Sequence, residues 1–221
     1  NTLLLNGKGQ RTPILDPRFS ANDPGYGRIA AVHASAAVAG LRAVIGDAAA
    51  AYGEPEDFGR AVRLTLQRFD RLLVHYRNMA VVGDSVITAG GPTDQITYAV
   101  HSRGDFVATG DPRTYVTASP CGDSMFSGMG CVNAMAGGRM VHTTVVPVNP
   151  DFLVRTGYTG RGSPSIEGSG LQFETRGPAI VMLNAMAFTD RTSAALPAVE
   201  SIDSSSGYIG TRVVHDGAAL I

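Results

Sequence analysis

Large polar and apolar residues alternate along Arg60-Ala61-Val62-Arg63-Leu64-Thr65-Leu66-Gln67-Arg68-Phe69. Val62, Leu64 and Leu66 therefore share one face of an extended chain, and Arg63, Thr65 and Gln67 share the other. A helix would need its apolar residues three and four apart, and a segment with strict period two cannot supply that stripe. Asp70 and Arg71 lead into Leu72-Leu73-Val74-His75-Tyr76, then Arg77-Asn78, then Met79-Ala80-Val81-Val82-Gly83-Asp84-Ser85-Val86. Two apolar runs separated by two turn-forming residues predict a β-hairpin.

The rest of the chain repeats this grammar. The opening Asn1-Thr2-Leu3-Leu4-Leu5-Asn6-Gly7-Lys8-Gly9-Gln10 reads as one strand and a tight turn. Ile14 to Gly27 reads as a long loop, Arg28 to His33 as a strand, Ala34 to Ala39 as a helical turn, and Leu41 to Asp47 as a strand. Ala48 to Tyr52 predicts a short helix ended by Gly53 and Pro55. Further strands are predicted at Gln95 to His101, in pieces from Phe106 to Val116, at Met140 to Val148, Leu171 to Thr175, Ala179 to Phe188 and Tyr208 to His215. Residues 119–138 read as a compact loop, Thr156 to Gly170 as an irregular glycine-rich loop, and the stretch up to Ser206 as a linker.

This amounts to eleven or more short strands with no long amphipathic helix. Such a pattern predicts an all-β, antiparallel sandwich or barrel, and 221 residues suffice for one large all-β domain or two small ones. A formal net charge of −1 gives no basic surplus for nucleic acid. No run of ~18 apolar residues offers a membrane span. Cys121 and Cys131 lie ten apart, and their spacing is compatible with either a disulfide or two buried thiols. His33, His75, His101, His142 and His215 show no metal-ligand spacing, and each is expected on a strand face or in the core. Neither the turn around Ser163 nor Gly157 to Gly162 has the strand-turn-helix setting of a nucleophile elbow or a dinucleotide fingerprint.

Several pieces, in this order, resemble the C-terminal sheet domain of the heparinase II/III-like polysaccharide lyases, a group that includes exo-acting alginate lyases. They are Asn1 to Gln10, Gly27-Arg28-Ile29, Val44-Ile45-Gly46-Asp47-Ala48 with Ala51-Tyr52, Arg63 to Asp84, Tyr98-Ala99-Val100-His101-Ser102, and Val181 to Pro197. The resemblance implies a single domain over 1–221, a large, distorted two-layer antiparallel β-sandwich of the galactose mutarotase-like supersandwich type. It also implies an N-terminal α/α-toroid in the same protein, with an acidic polysaccharide or oligosaccharide lying between the two.

The implied chemistry is β-elimination of a uronate-containing glycan, with alginate or its oligomers first and heparin-like glycans second. Periplasmic or extracellular placement is implied as well. In the family the sheet domain contributes a catalytic histidine that would precede Asn1, and the other proton-handling residues come from the toroid. No catalytic residue is therefore expected within these 221 residues, and the chain alone is expected to be inactive. Asn1, Thr2, Lys8, Gln10 and Arg11 are the candidate substrate contacts, Lys and Arg by charge and Arg also by its planar fork. Some relatives hold a divalent metal. The equivalent positions here are Thr2 and Arg71, with Asp16 or Asp23 as the only carboxylates, so no metal or other cofactor is expected. A reading from another class is a non-catalytic sandwich that binds carbohydrate or supports a neighbouring domain.

Overall fold

The computed structural model of the protein describes residues 2–7, 27–55, 62–64, 66–89, 94–102, 106–118, 139–147, 151–159, 167–189, 195–203 and 209–221. Its framework is one eight-stranded sheet. In spatial order this runs β2 (Arg28–Ala34), β3 (Arg42–Asp47), β6 (Leu66–Tyr76), β7 (Met79–Thr88), β14 (Ala179–Thr189), β11 (Arg139–Val146), β10 (Thr114–Ala118) and β9 (Phe106–Ala108). A four-stranded sheet lies against it, in the order β1 (Thr2–Leu5), β8 (Gln95–Ser102), β13 (Glu167–Arg176) and β12 (Phe152–Thr159). Three further strands, β15 (Ala198–Asp203), β16 (Ile209–His215) and β17 (Ala218–Leu220), form a small third sheet, and β4 (Gly53–Pro55) pairs with β5 (Val62–Leu64). Every pairing is antiparallel. None of the sheets closes on itself, so the molecule is the all-β sandwich that the alternation predicts.

Alternation along the long strands sorts the core into two halves. Phe69 of β6, Val86 of β7 and Met182 of β14 point to one face of the large sheet. There they pack against Leu3, Tyr98 and Phe173 of the four-stranded sheet. Met79, Val81, Leu183 and Ala185 point to the opposite face and pack against Val213, Ala218 and Leu220 of the small sheet. The middle of the large sheet is thus covered on both faces, and the period-two pattern puts apolar residues on each. Hereafter the face toward the four-stranded sheet is the inner face.

Four local expectations need correction. The segment from Thr156 to Gly170 is not simply a loop. β12 runs through Thr159 and β13 begins at Glu167, with Gly168 and Gly170 held in the ladder opposite Tyr158 and Arg155. Glycine keeps both backbone hydrogen-bonding groups, so pairing on both sides of β13 outweighs its weak strand preference. The stretch up to Ser206, read as a linker, contains β15, which exists because β16 pairs with it along its whole length. Ala34 to Ala39 is not helical: β2 includes Ala34, and Ser35 N–H and Leu41 N–H close a short loop on Leu41 and Val38 carbonyls. So few residues cannot offset the cost of helix nucleation. The alternating run from Arg60 to Phe69 is divided between β5, paired to β4, and β6, which continues without a break through Asp70 and Arg71 to Tyr76. The short helix expected over Ala48 to Tyr52 is present, as a 3-10 helix over Ala49–Tyr52.

Asp216 and Gly217 join β16 to β17 with φ of 48° and 71°. A pair of positive φ values suits a two-residue hairpin, since it matches the strand twist. A side chain at Gly217 would meet nothing within 4 Å, so any cost of adding one is backbone strain alone. Gly217→Val is expected to lower stability by about 1–2 kcal/mol. Chemical denaturation with an unchanged m-value would show it, and an unaltered midpoint would contradict it.

Candidate functional site

The hairpin joining β6 to β7 turns at Arg77-Asn78, and its register sets Tyr76 opposite Met79 and Arg71 opposite Asp84. Both side chains of the second pair project from the inner face, because Phe69 and Val86 two residues away do so. The guanidinium grips the carboxylate at two points, with Arg71 Nε 2.6 Å from Asp84 Oδ1 and Arg71 Nη2 2.9 Å from Asp84 Oδ2. Such two-pronged, charge-assisted bonds hold both planes in a fixed orientation. Asp84 is fully enclosed, whereas the Arg71 side chain retains 28% exposure. Burial works against the Arg71 charge, but the bond to Asp84 and its negative charge raise the pKa above the usual arginine value.

Around this pair sits a shell of aromatic rings. Arg71 Cζ lies 5.5 Å from the centre of the Phe69 ring, a cation–π distance. Tyr52 meets Phe69 edge-on at 5.6 Å and donates its hydroxyl to the Leu3 carbonyl at 2.9 Å. The Tyr98 hydroxyl is pushed well above its usual pKa, by burial first and by the Asp84 charge second, while Arg71 pulls it back. Tyr98 thus stays protonated at any working pH. A continuous series of contacts, Leu3 to Tyr52 to Phe69 to Arg71 to Asp84, links the opening strand to the ion pair. Tyr52→Phe is expected to remove about 1–2 kcal/mol of stability by deleting the link to Leu3, read as a fall in melting temperature. A variant that melts with the parent would show that β1 is held by its ladder alone.

Two residues beyond Arg71 the inner face is open. Leu73 is 39% exposed and His75 is exposed, while Phe69 at the other end of the same face is buried. The neighbouring strand continues the open area: Val44 stands opposite Leu73, and Arg42 opposite His75. On this side the site can present cationic and N–H donor groups beside apolar surface, which suits an anionic, partly apolar ligand.

Of the residues expected to contact glycan, Thr2 lies in β1 opposite Ala99. Asn1, Lys8, Gln10 and Arg11 lie outside the described residues, as do Asp16, Asp23, Cys121 and Cys131. The expectation that Arg71 displaces a metal ligand meets a concrete partner in Asp84. A guanidinium has no lone pair for a cation, and its charge would repel one, so this corner does not fit a divalent metal. Among the described residues no three His, Cys, Asp or Glu side chains are grouped so that they could hold a metal ion. No helix among them is long and apolar enough to cross a membrane.

The histidines separate by surroundings. His33 and His75 are exposed, while His215 is buried on β16. His101 lies in β8 opposite Gly170. His142 of β11 is fully buried, edge-on to Tyr98 at 6.3 Å, and neither ring nitrogen has a hydrogen-bond partner among the described residues. Burial drives its pKa down to about 4. Sequence reading passed over the Arg71–Asp84 pair, although the two-residue turn at Arg77-Asn78 already implies it by counting outward along both strands.

Neither a family model nor a curated protein sequence matches the chain. Solved structures do. A heparan sulfate lyase from Pedobacter heparinus superposes with a TM-score of 0.60 at 10% identity, covering 99% of this chain and 29% of that one. A heparinase III gene product superposes with a TM-score of 0.62 at 10% identity, over 100% of this chain and 29% of its own. A crystal structure titled heparinase III gives 0.60 and 10% over 100% of this chain and 28% of its own. The chain therefore spans well under a third of the length of these structures, and over that length it has their fold.

Proposed function

We propose that this chain is the sheet domain of a polysaccharide lyase that cleaves uronate-containing acidic glycans by β-elimination. The observation that carries this reading is the match of the whole chain to the heparinase and heparan sulfate lyase structures. It is supported by the opening Asn1 to Gln10 segment and by the open cationic surface beside Arg71. In the reaction, a base removes the proton beside the uronate carboxylate. The glycosidic C–O bond breaks as a ring double bond forms, and an acid returns a proton to the leaving oxygen. The carboxylate must be neutralised for that proton to become acidic, which requires cationic or hydrogen-bonding groups at the sugar.

We assign the base and acid to parts of the protein beyond these 221 residues, including a histidine ahead of Asn1 and a helical toroid domain. The 221 residues by themselves are then inactive. Periplasmic or extracellular placement belongs to the same reading and follows from the family resemblance. Alginate and heparan sulfate are both uronate polymers, and the first remains our leading substrate from the Asn-Thr opening.

The test is ultraviolet absorbance of the unsaturated product when the full-length protein is mixed with alginate, heparan sulfate and a neutral glucan. Product from an acidic polymer and none from the glucan is the expected result. Binding without product from any uronate polymer would instead establish a carbohydrate-binding module.

A further inference from the structure

The open part of the inner face is built from β3 and β6 as three facing pairs: Gly46 with Arg71, Val44 with Leu73, and Arg42 with His75. Successive pairs on one face are two residues apart, about 7 Å, so the strip is roughly 14 Å long. Side chains directly opposite on one face have Cβ atoms about 5 Å apart, within reach of a shared ligand. Arg42 and His75 are exposed, and Arg42 has no carboxylate partner among the described residues.

Among the described residues, charge on this face is one-sided. β2 contains no acidic residue, and β3, β6 and β7 contain one each, Asp47, Asp70 and Asp84. Asp47 and Asp70 face each other in register on the opposite side of the sheet, where they bond Arg28 and Arg68. Asp84 is on the inner face but is held by both prongs of Arg71. Arg42 and His75 are thus left to face an external anion beside the apolar pair Val44 and Leu73.

We propose that Arg42 and His75 form an anion subsite for one carboxylate or sulfate of an acidic oligosaccharide, with the adjoining sugar ring resting on Val44 and Leu73. Arg42 offers its planar fork, His75 an imidazole N–H, and the aliphatic pair accepts the C–H face of the sugar. This rests on the reading of the protein as a glycan lyase and places a sugar one pair of residues away from Arg71.

Calorimetric titration of the full-length protein with a heparan sulfate tetrasaccharide and an alginate tetrasaccharide tests it. Arg42→Gln and His75→Gln are each expected to weaken binding about tenfold, the effect of losing one charge-assisted hydrogen bond. Arg42→Lys, keeping charge without the fork, is expected to recover part of the loss. Arg176→Gln, at the exposed end of β13, should bind as the parent does. All of these residues are exposed, so the variants should melt with the parent. Binding of both tetrasaccharides identifies carboxylate as the recognised group, and binding of heparan sulfate alone identifies sulfate. Product formation together with unweakened binding in Arg42→Gln and His75→Gln overturns the subsite and leaves the lyase reading intact. Weakened binding in those variants with no product from either glycan does the reverse. Failure of both tetrasaccharides to bind overturns the subsite.

Discussion

Replacing Asp84 with alanine is expected to cost the fold about 3 kcal/mol. The carboxylate is fully enclosed and holds Arg71 through two bonds, so its removal takes both of them from a largely enclosed guanidinium. Breaking a buried pair from one side costs about 3–5 kcal/mol, and the lower end applies because Arg71 keeps 28% exposure and can turn toward water. Asp84→Asn should recover only part of the loss, since one amide oxygen replaces two anionic ones. The paired replacement Arg71→Met with Asp84→Leu should fall much closer to the parent, because it removes both charges and refills the space with apolar atoms. Urea midpoints of the four proteins decide the matter. An Asp84→Ala protein within about 1 kcal/mol of the parent would mean that the pair is not an anchor of the sandwich.

A second large effect is expected at His142, and it depends on pH. Its folded-state pKa is depressed to about 4 from 6.5 because a charged imidazole would be stranded in the core. Between those values the unfolded chain binds a proton that the folded chain refuses. Stability from this group is therefore complete above pH 6.5 and declines as pH falls toward 4. Below about 4 the folded protein takes up the proton too, and the loss stops growing. The decline approaches ~1.4 kcal/mol per pH unit and totals about 3 kcal/mol across the window. His142→Phe keeps an aromatic ring against Tyr98 and has nothing to protonate. Its stability should match or exceed the parent's at neutral pH, since two ring nitrogens with no hydrogen-bond partner among the described residues are removed. The difference between the two proteins should widen in the variant's favour on acidification. A constant difference from pH 7 to pH 4 would show that His142 has a proton partner in the folded state.

Both residues show how legibility depends on distance along the chain. Asp84 faces Arg71 because a hairpin with a two-residue turn matches residues by counting, and the turn at Arg77-Asn78 was recognisable from its flanking apolar runs. His142 could be assigned only to a strand face or the core. Its burial comes from Tyr98, a residue on a different sheet with no local relation to it. The glycines of β13 misled for a related reason. Their composition signals a loop, and only strands on both sides hold them extended. β15 and β17 were likewise unrecognisable without β16 between them.

The amino-acid order alone determined that the chain is all-β, where most of its strands lie, and how β6 meets β7. Side-chain alternation and turn chemistry act within a few residues, so they can be read locally. Only the tertiary structure decided which part of the large sheet's inner face is covered. Phe69, Arg71, Leu73 and His75 follow one another on that face with the same spacing, yet the first is core and the last is open to solvent. The difference is the extent of the second sheet, and the meeting of Arg42 with His75 depends on β3 lying beside β6. Both are outcomes of long-range packing, in which the apolar surface buried between layers outweighs local preference.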